Sequence, residues 1–157
     1  GGGAPSDVVK RARDLLRRPG ISVVPEARAA CAAARVHAMH DPTEGGVATA
    51  GWELAQAAEV GVRVDRERIP VLREGRALCG AFGLDPLGTI ASGSLLLAVA
   101  ASDAGRVAEA CRGVGVDCTA IGRVTEAEQG VSLTSGGHAR PMPTFLQDEI
   151  TRLFAES

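Results

Sequence analysis

The sequence predicts an α/β domain, and three observations carry that prediction. Apolar residues recur at helical spacing in several long stretches, short β-branched runs fall between them, and glycine or proline marks most junctions. At 157 residues and 45% apolar content the chain is long enough for one domain with a buried core. Aromatics are only 3% of residues, so that core is built from Val, Leu, Ile and Ala.

Each element has a local reason. Residues 1–5 read as a linker or remnant ahead of a domain spanning 6–157. Ser6 or Asp7 is placed to cap a first helix to about Arg17, with Val8, Val9, Ala12, Leu15 and Leu16 on one side; Pro19-Gly20 stops it. Ser22 caps a second helix, Val23 to Ala34, with Pro25-Glu26 in its first turn. A strand at Val36–Met39 then runs into a polar turn and a helix from about Gly45 to Glu59, which Gly61 ends. Val62-Arg63-Val64-Asp65 alternates as a half-buried strand does.

Pro70–Phe82 is expected as a helix closed by Gly83, followed by a turn at Asp85-Pro86-Leu87-Gly88. Ser94–Ala101 is a continuous apolar run, expected as a central strand buried on both faces. Asp103 caps a helix to about Arg112, and Val116–Val124 returns as a strand broken at Gly122. The unit from Ser94 to Val124 implies a right-handed parallel crossover. Gly130–Thr134 is expected as a short peripheral strand, 136–143 as loop with Gly136-Gly137 in a surface hairpin, and Phe145–Phe154 as a terminal helix. The strands make a mixed sheet of about four to six, with helices outside it.

Composition excludes several classes of function. A net charge of −2 gives no electrostatic case for nucleic acid or an anionic membrane. The longest apolar run, Leu95 to Ala101, is too short to span a bilayer, and no signal peptide is visible, so the expected compartment is the cytoplasm. Cys31, Cys79, Cys111 and Cys118 form no C-x-x-C pair, so neither a zinc site nor a disulfide framework is expected. No nucleophile–base pair, G-x-S-x-G elbow or P-loop lysine is present; Lys10 is the only lysine.

The passage built for chemistry is His40-Asp41-Pro42-Thr43-Glu44-Gly45-Gly46. A strand delivers this polar turn into a helix N-terminus, where free N–H groups and the helix dipole suit an anion such as phosphate. Thr43 can donate from its hydroxyl, and Gly45 and Gly46 from the backbone. Asp41 and Glu44 repel a bare phosphate but fit one carried with Mg²⁺. The same residues also read as an Asp or Thr N-cap with glycines that allow close packing. Ser92 and Gly93, in a second small-residue turn, read alone as a plain tight turn; paired with the first turn they are expected to form the opposite wall of one pocket. His37 and His40, three apart on a strand, point to opposite faces, so no metal site is expected from them.

This turn, with Ile69-Pro70-Val71, Gly83-Leu84-Asp85-Pro86-Leu87, Ala91-Ser92-Gly93-Ser94 and Ile121-Gly122-Arg123-Val124, resembles the C-terminal domain of the aminoimidazole ribonucleotide (AIR) synthase superfamily. The likeness runs from about residue 6 to 154 and is greatest to the hydrogenase-maturation, carbamoyl dehydratase-like branch. Selenophosphate synthetase and thiamine-monophosphate kinase are similar too. The resemblance implies a three-layer α/β/α domain, partly ferredoxin-like, that closes the substrate end of an ATP cleft. It implies chemistry in which ATP activates a substrate oxygen or selenium, with ATP and Mg²⁺ held mainly by an N-terminal domain that also forms a homodimer. That domain is not in this chain, so the chain alone is expected to bind no cofactor and to be inactive. The alternative expectation is a non-catalytic ligand-binding or regulatory domain that keeps the fold.

Overall fold

A computed structural model describes residues 3–155, so the expected linker at 1–5 lies partly outside the described residues. The order is α1 (Ser6–Leu15), α2 (Val24–Ala33), β1 (Val36–His40), α3 (Gly46–Ala58), β2 (Gly61–Asp65), α4 (Arg73–Phe82) and β3 (Leu96–Val99). There follow α5 (Ala104–Gly113), β4 (Gly122–Thr125), β5 (Val131–Ser135), β6 (His138–Pro141) and a short α6 (Arg152–Ala155). The mixed α/β class stands, but the six strands divide into two sheets. One has four strands in the order β4-β2-β5-β6; the other is a ribbon of β1 and β3.

The core follows that division. Along α3, Ala48, Leu54 and Ala55 pack on Val62, Val64, Val131 and Leu133 of the four-stranded sheet, with Ile69, Leu87 and Met142 closing the cluster. A smaller cluster of Ala30, Val107 and Cys111 seals α2 and α5 against the ribbon through Val36, Leu97 and Val99. The other face of the ribbon, through Ala38 and Leu96, joins the α3 cluster. A register shift between Val36 and Ala38 lets one short strand serve both.

The structure corrects several expectations. The Leu95–Val99 run is not central: β3 pairs only with β1, while β5, expected at the periphery, lies between β2 and β6 and buries Leu133 completely. Nor is that run buried on both faces: every residue of β3 is only half-buried, packed against two different clusters, and a continuous apolar run does not fix how many strands flank it. The parallel crossover from β3 to β4 does not exist, because those strands belong to different sheets; the parallel pair is β2 with β5. Of Val116–Val124 only the end is strand, since pairing with β2 begins at Gly122 opposite Val64.

The helix ends also differ. α1 starts after Pro5 and α2 after Val23, with no side-chain caps from Ser6, Asp7 or Ser22. α4 begins at Arg73 rather than Pro70. α3 is ended by Glu59 in the left-handed conformation, φ 53°, and Gly61 already belongs to β2. The expected 136–143 loop contains β6, which carries His138. The expected helix at Phe145–Phe154 reduces to a 3₁₀ turn at Glu149–Thr151 and α6. Among the described residues no helix is long and apolar enough to cross a membrane.

Candidate functional site

Antiparallel pairing in the ribbon decides where the two polar turns go. β1 ends at His40, opposite Leu96, where β3 begins. The turn that leaves β1 and the turn that enters β3 therefore emerge at the same end. They are fastened there by a backbone hydrogen bond, the Ala91 N–H donating to the Thr43 carbonyl at 3.4 Å. The expected walls, 40–46 and 92–93, are adjacent.

The helix N-terminus is arranged differently from the sequence expectation. The Gly45 N–H donates to Asp148 Oδ2 at 2.9 Å, in a buried contact. The Gly46 N–H donates to the Thr43 carbonyl at 3.0 Å and the Ala48 N–H to the Leu87 carbonyl at 3.0 Å. A carboxylate of the chain itself thus takes the position an anion takes at a helix start. Neither Asp41 nor Thr43 caps α3 with its side chain; the N-cap is Gly45, φ 74°. Gly46, φ 61°, is pressed against the 87–89 turn: a Cβ there would lie 2.5 Å from the carbonyl oxygens of Leu87 and Thr89.

Pro42 is fully buried and anchors the turn, while Asp41, Thr43 and Glu44 are exposed beside it. Ser92 and Gly93 are exposed across from them, and Gly93 lies close to Ile21. His40 pairs through Nε2 with Glu53 Oε2 at 2.7 Å, and its buried Nδ1 has no partner among the described residues. His37 is exposed on the other face of β1. The groups open to solvent at this edge therefore include the Asp41 and Glu44 carboxylates and the Thr43 and Ser92 hydroxyls, and not the Gly45 and Gly46 amides. Among the described residues no three His, Cys, Asp or Glu side chains converge to hold a metal ion.

Sequence reasoning missed the segment that locks this turn. Besides Asp148, Glu149 accepts the Asp85 N–H through Oε2 at 2.9 Å and donates its own N–H to the Gly88 carbonyl at 3.0 Å. The Phe145 ring lies so close to Gly88 that a Cβ there would be 2.4 Å from it. A cavity of about 340 Å³ opens between this segment and the turn, lined by Glu44, Ile90, Leu146, Asp148 and Ile150. The available signal was an Asp ahead of Ile150 and Thr151: Asp148 Oδ1 accepts the Ile150 N–H at 3.0 Å, the habit of a turn-starting Asp.

The model of the AIR synthase related protein, C-terminal domain, matches residues 4–134. The chain belongs to that family. The carbamoyl dehydratase HypE of Rhizobium leguminosarum is 41% identical over 78 residues, which are 50% of this chain and 22% of that protein. The crystal structure of the hydrogenase maturation protein HypE of E. coli superposes with a TM-score of 0.75 at 26% identity, covering 97% of this chain and 51% of that one. A HypE structure in complex with ATP gives a TM-score of 0.65 at 28% identity, over 72% and 37% of the two chains. The chain thus spans about half the length of the E. coli protein.

Proposed function

We propose that this AIR synthase-related domain is the substrate- and phosphate-facing part of an ATP-dependent enzyme of the HypE type, in which ATP activates a substrate oxygen or selenium. The observation that carries the reading is the junction of the two turns through Thr43 and Ala91, which sets Asp41, Thr43, Glu44 and Ser92 along one solvent-facing edge. Likeness to a HypE that binds ATP supports it. In this reading Thr43 and Ser92 donate to a phosphate or substrate oxygen, while Asp41 and Glu44 face Mg²⁺ and His40 orients that side of the turn through Glu53. Gly45 and Gly46 contribute shape rather than free amides. The remaining ATP and Mg²⁺ ligands come from an N-terminal domain of the same protein, which also makes a homodimer, and the assembly works in the cytoplasm.

The test uses the complete protein that contains this chain. Calorimetry with ATP in the presence and absence of Mg²⁺ is expected to show Mg²⁺-dependent binding. Asp41→Ala and Thr43→Val are expected to lower turnover with unchanged melting temperatures, because both side chains are exposed. Unchanged turnover in both variants overturns the assignment of the turn.

A second reading, a non-catalytic ligand-binding or regulatory domain, is favoured by one observation: the N–H groups of Gly45 and Gly46 are already bonded within the protein. Absence of any ATP hydrolysis or transfer by the complete protein, with ligand binding retained, selects it.

A further inference from the structure

We propose that a cavity at the carboxyl ends of β2 and β5 binds a small organic oxyanion, a carboxylate or phosphate ester with an apolar body, held by Arg76 and Arg66 above Ile69 and Leu87. This site is separate from the edge of exposed polar groups and does not depend on the reading given above. Parallel pairing of β2 with β5, in register from Val62 opposite Val131 to Asp65 opposite Thr134, sends both carboxyl ends to one side of the sheet. A cavity of about 360 Å³ opens there, bounded by Arg66 and Glu67 after β2, Ser135 at the end of β5, Arg76 of α4 and the Pro86-Leu87 turn. The volume is that of a small-molecule pocket.

Its floor is apolar: Ile69 and Leu87 are buried members of the main core, with Val71 at the side. Two guanidinium groups line it against one carboxylate, and they differ in how far they are engaged. Arg66 makes one long contact to Asp85 Oδ1, at 3.3 Å. Arg76 has no carboxylate partner among the described residues. Glu67 stays ionised in the lining, but its Oε1 is turned to the Ser135 hydroxyl at 2.8 Å and the Gly136 N–H at 3.1 Å rather than to either arginine. A guanidinium without a partner, beside a second held by a single contact, is a fork for a carboxylate or phosphate group, and the floor takes an apolar remainder.

Amide-resolved NMR titration of the chain with phenyl phosphate, benzoate and inorganic phosphate tests the proposal. Saturable shifts centred on Arg66, Arg76 and Ser135 are expected for both aromatic anions, with inorganic phosphate at least about tenfold weaker for want of apolar burial. Arg76→Ala is expected to weaken the aromatic anions by about tenfold or more, and Arg76→Lys by less. Arg76 is exposed on α4, so both variants keep the fold. No saturable shift for either aromatic anion, equal affinity of Arg76→Ala, or inorganic phosphate binding as tightly as phenyl phosphate overturns it.

Discussion

Asp148 and Gly45, separated by 103 positions, meet through a buried 2.9 Å hydrogen bond from the glycine amide to the carboxylate. Asp148→Ala leaves that amide without an acceptor and is expected to cost about 1.5–3 kcal/mol, the range for a bond to a charged group. Asp148→Asn keeps an acceptor oxygen and should cost less. Denaturant titration of the three proteins separates them, and an alanine variant as stable as the parent would show the contact to be idle.

The two glycines of the turn are expected to respond unequally to a methyl group. At Gly46 a Cβ meets two backbone carbonyls at 2.5 Å, and neither can move without displacing the 87–89 turn. Gly46→Ala should therefore cost roughly 2–4 kcal/mol from positive φ and overpacking together. At Gly45 the obstacle is one side chain: the Thr49 hydroxyl can rotate away, but Thr49 Cβ stays at 2.9 Å and must shift slightly, so Gly45→Ala should cost less than Gly46→Ala, about 1–3 kcal/mol. Equal losses in thermal denaturation would contradict this order.

Glu67 is held down to about 2, first by the Ser135 hydroxyl and then by backbone N–H groups, including that of Gly136. A depressed carboxylate contributes stability that is present above its unfolded value, near 4.5, and is lost as pH falls through about 2. The stability gap between the parent and Glu67→Gln is expected to be constant above pH about 5 and to close progressively below that. A gap independent of pH across this window would show that Glu67 does not hold the hairpin as a carboxylate.

The cysteines are expected to differ in reactivity. Burial, with the neighbouring Cys118, pushes the Cys111 thiol up, whereas Cys31 is exposed. Since the thiolate is the nucleophile, limited alkylation followed by peptide mass analysis should modify Cys31 first and Cys111 last. Early labelling of Cys111 in native protein would mean that α5 opens readily.

Exposed apolar side chains predict weak self-association of this chain. Leu16 is 69% exposed, Ile21 54%, Val24 52% and Leu72 63%, and the β1–β3 ribbon has unpaired edges. Such surfaces recruit a second copy. Sedimentation over a wide concentration range is expected to show a rising dimer fraction, and a strict monomer throughout would overturn the expectation.

Local order was legible in the sequence wherever one short-range cause decides it. Gly83 closes α4 in the left-handed conformation, and β2 follows its apolar alternation, with Val62 and Val64 buried and Arg63 exposed. Strand partnership was not, because Leu95–Val99 carries the same apolar signal whether it has two neighbours or one. At the site, the pattern located the turn but not its hydrogen bonds. Those depend on Asp148 and Leu87, which are distant in sequence and carry no special spacing relative to Gly45. A helix start looks open until the rest of the chain is laid against it.

The ribbon also divides the domain into an end that must keep its length and an end that need not. At the His40–Leu96 end, two turns share a hydrogen bond, and an inserted residue in either would break that join. At the Val36–Val99 end the chain leads only to α2 and α5, with no residue of the polar edge nearby. Deep insertion scanning should accordingly find tolerance around Arg35 and Ala100 and none between Asp41 and Gly46. Relatives of different length would then drift apart at one end of a single pair of strands while superposing at the other.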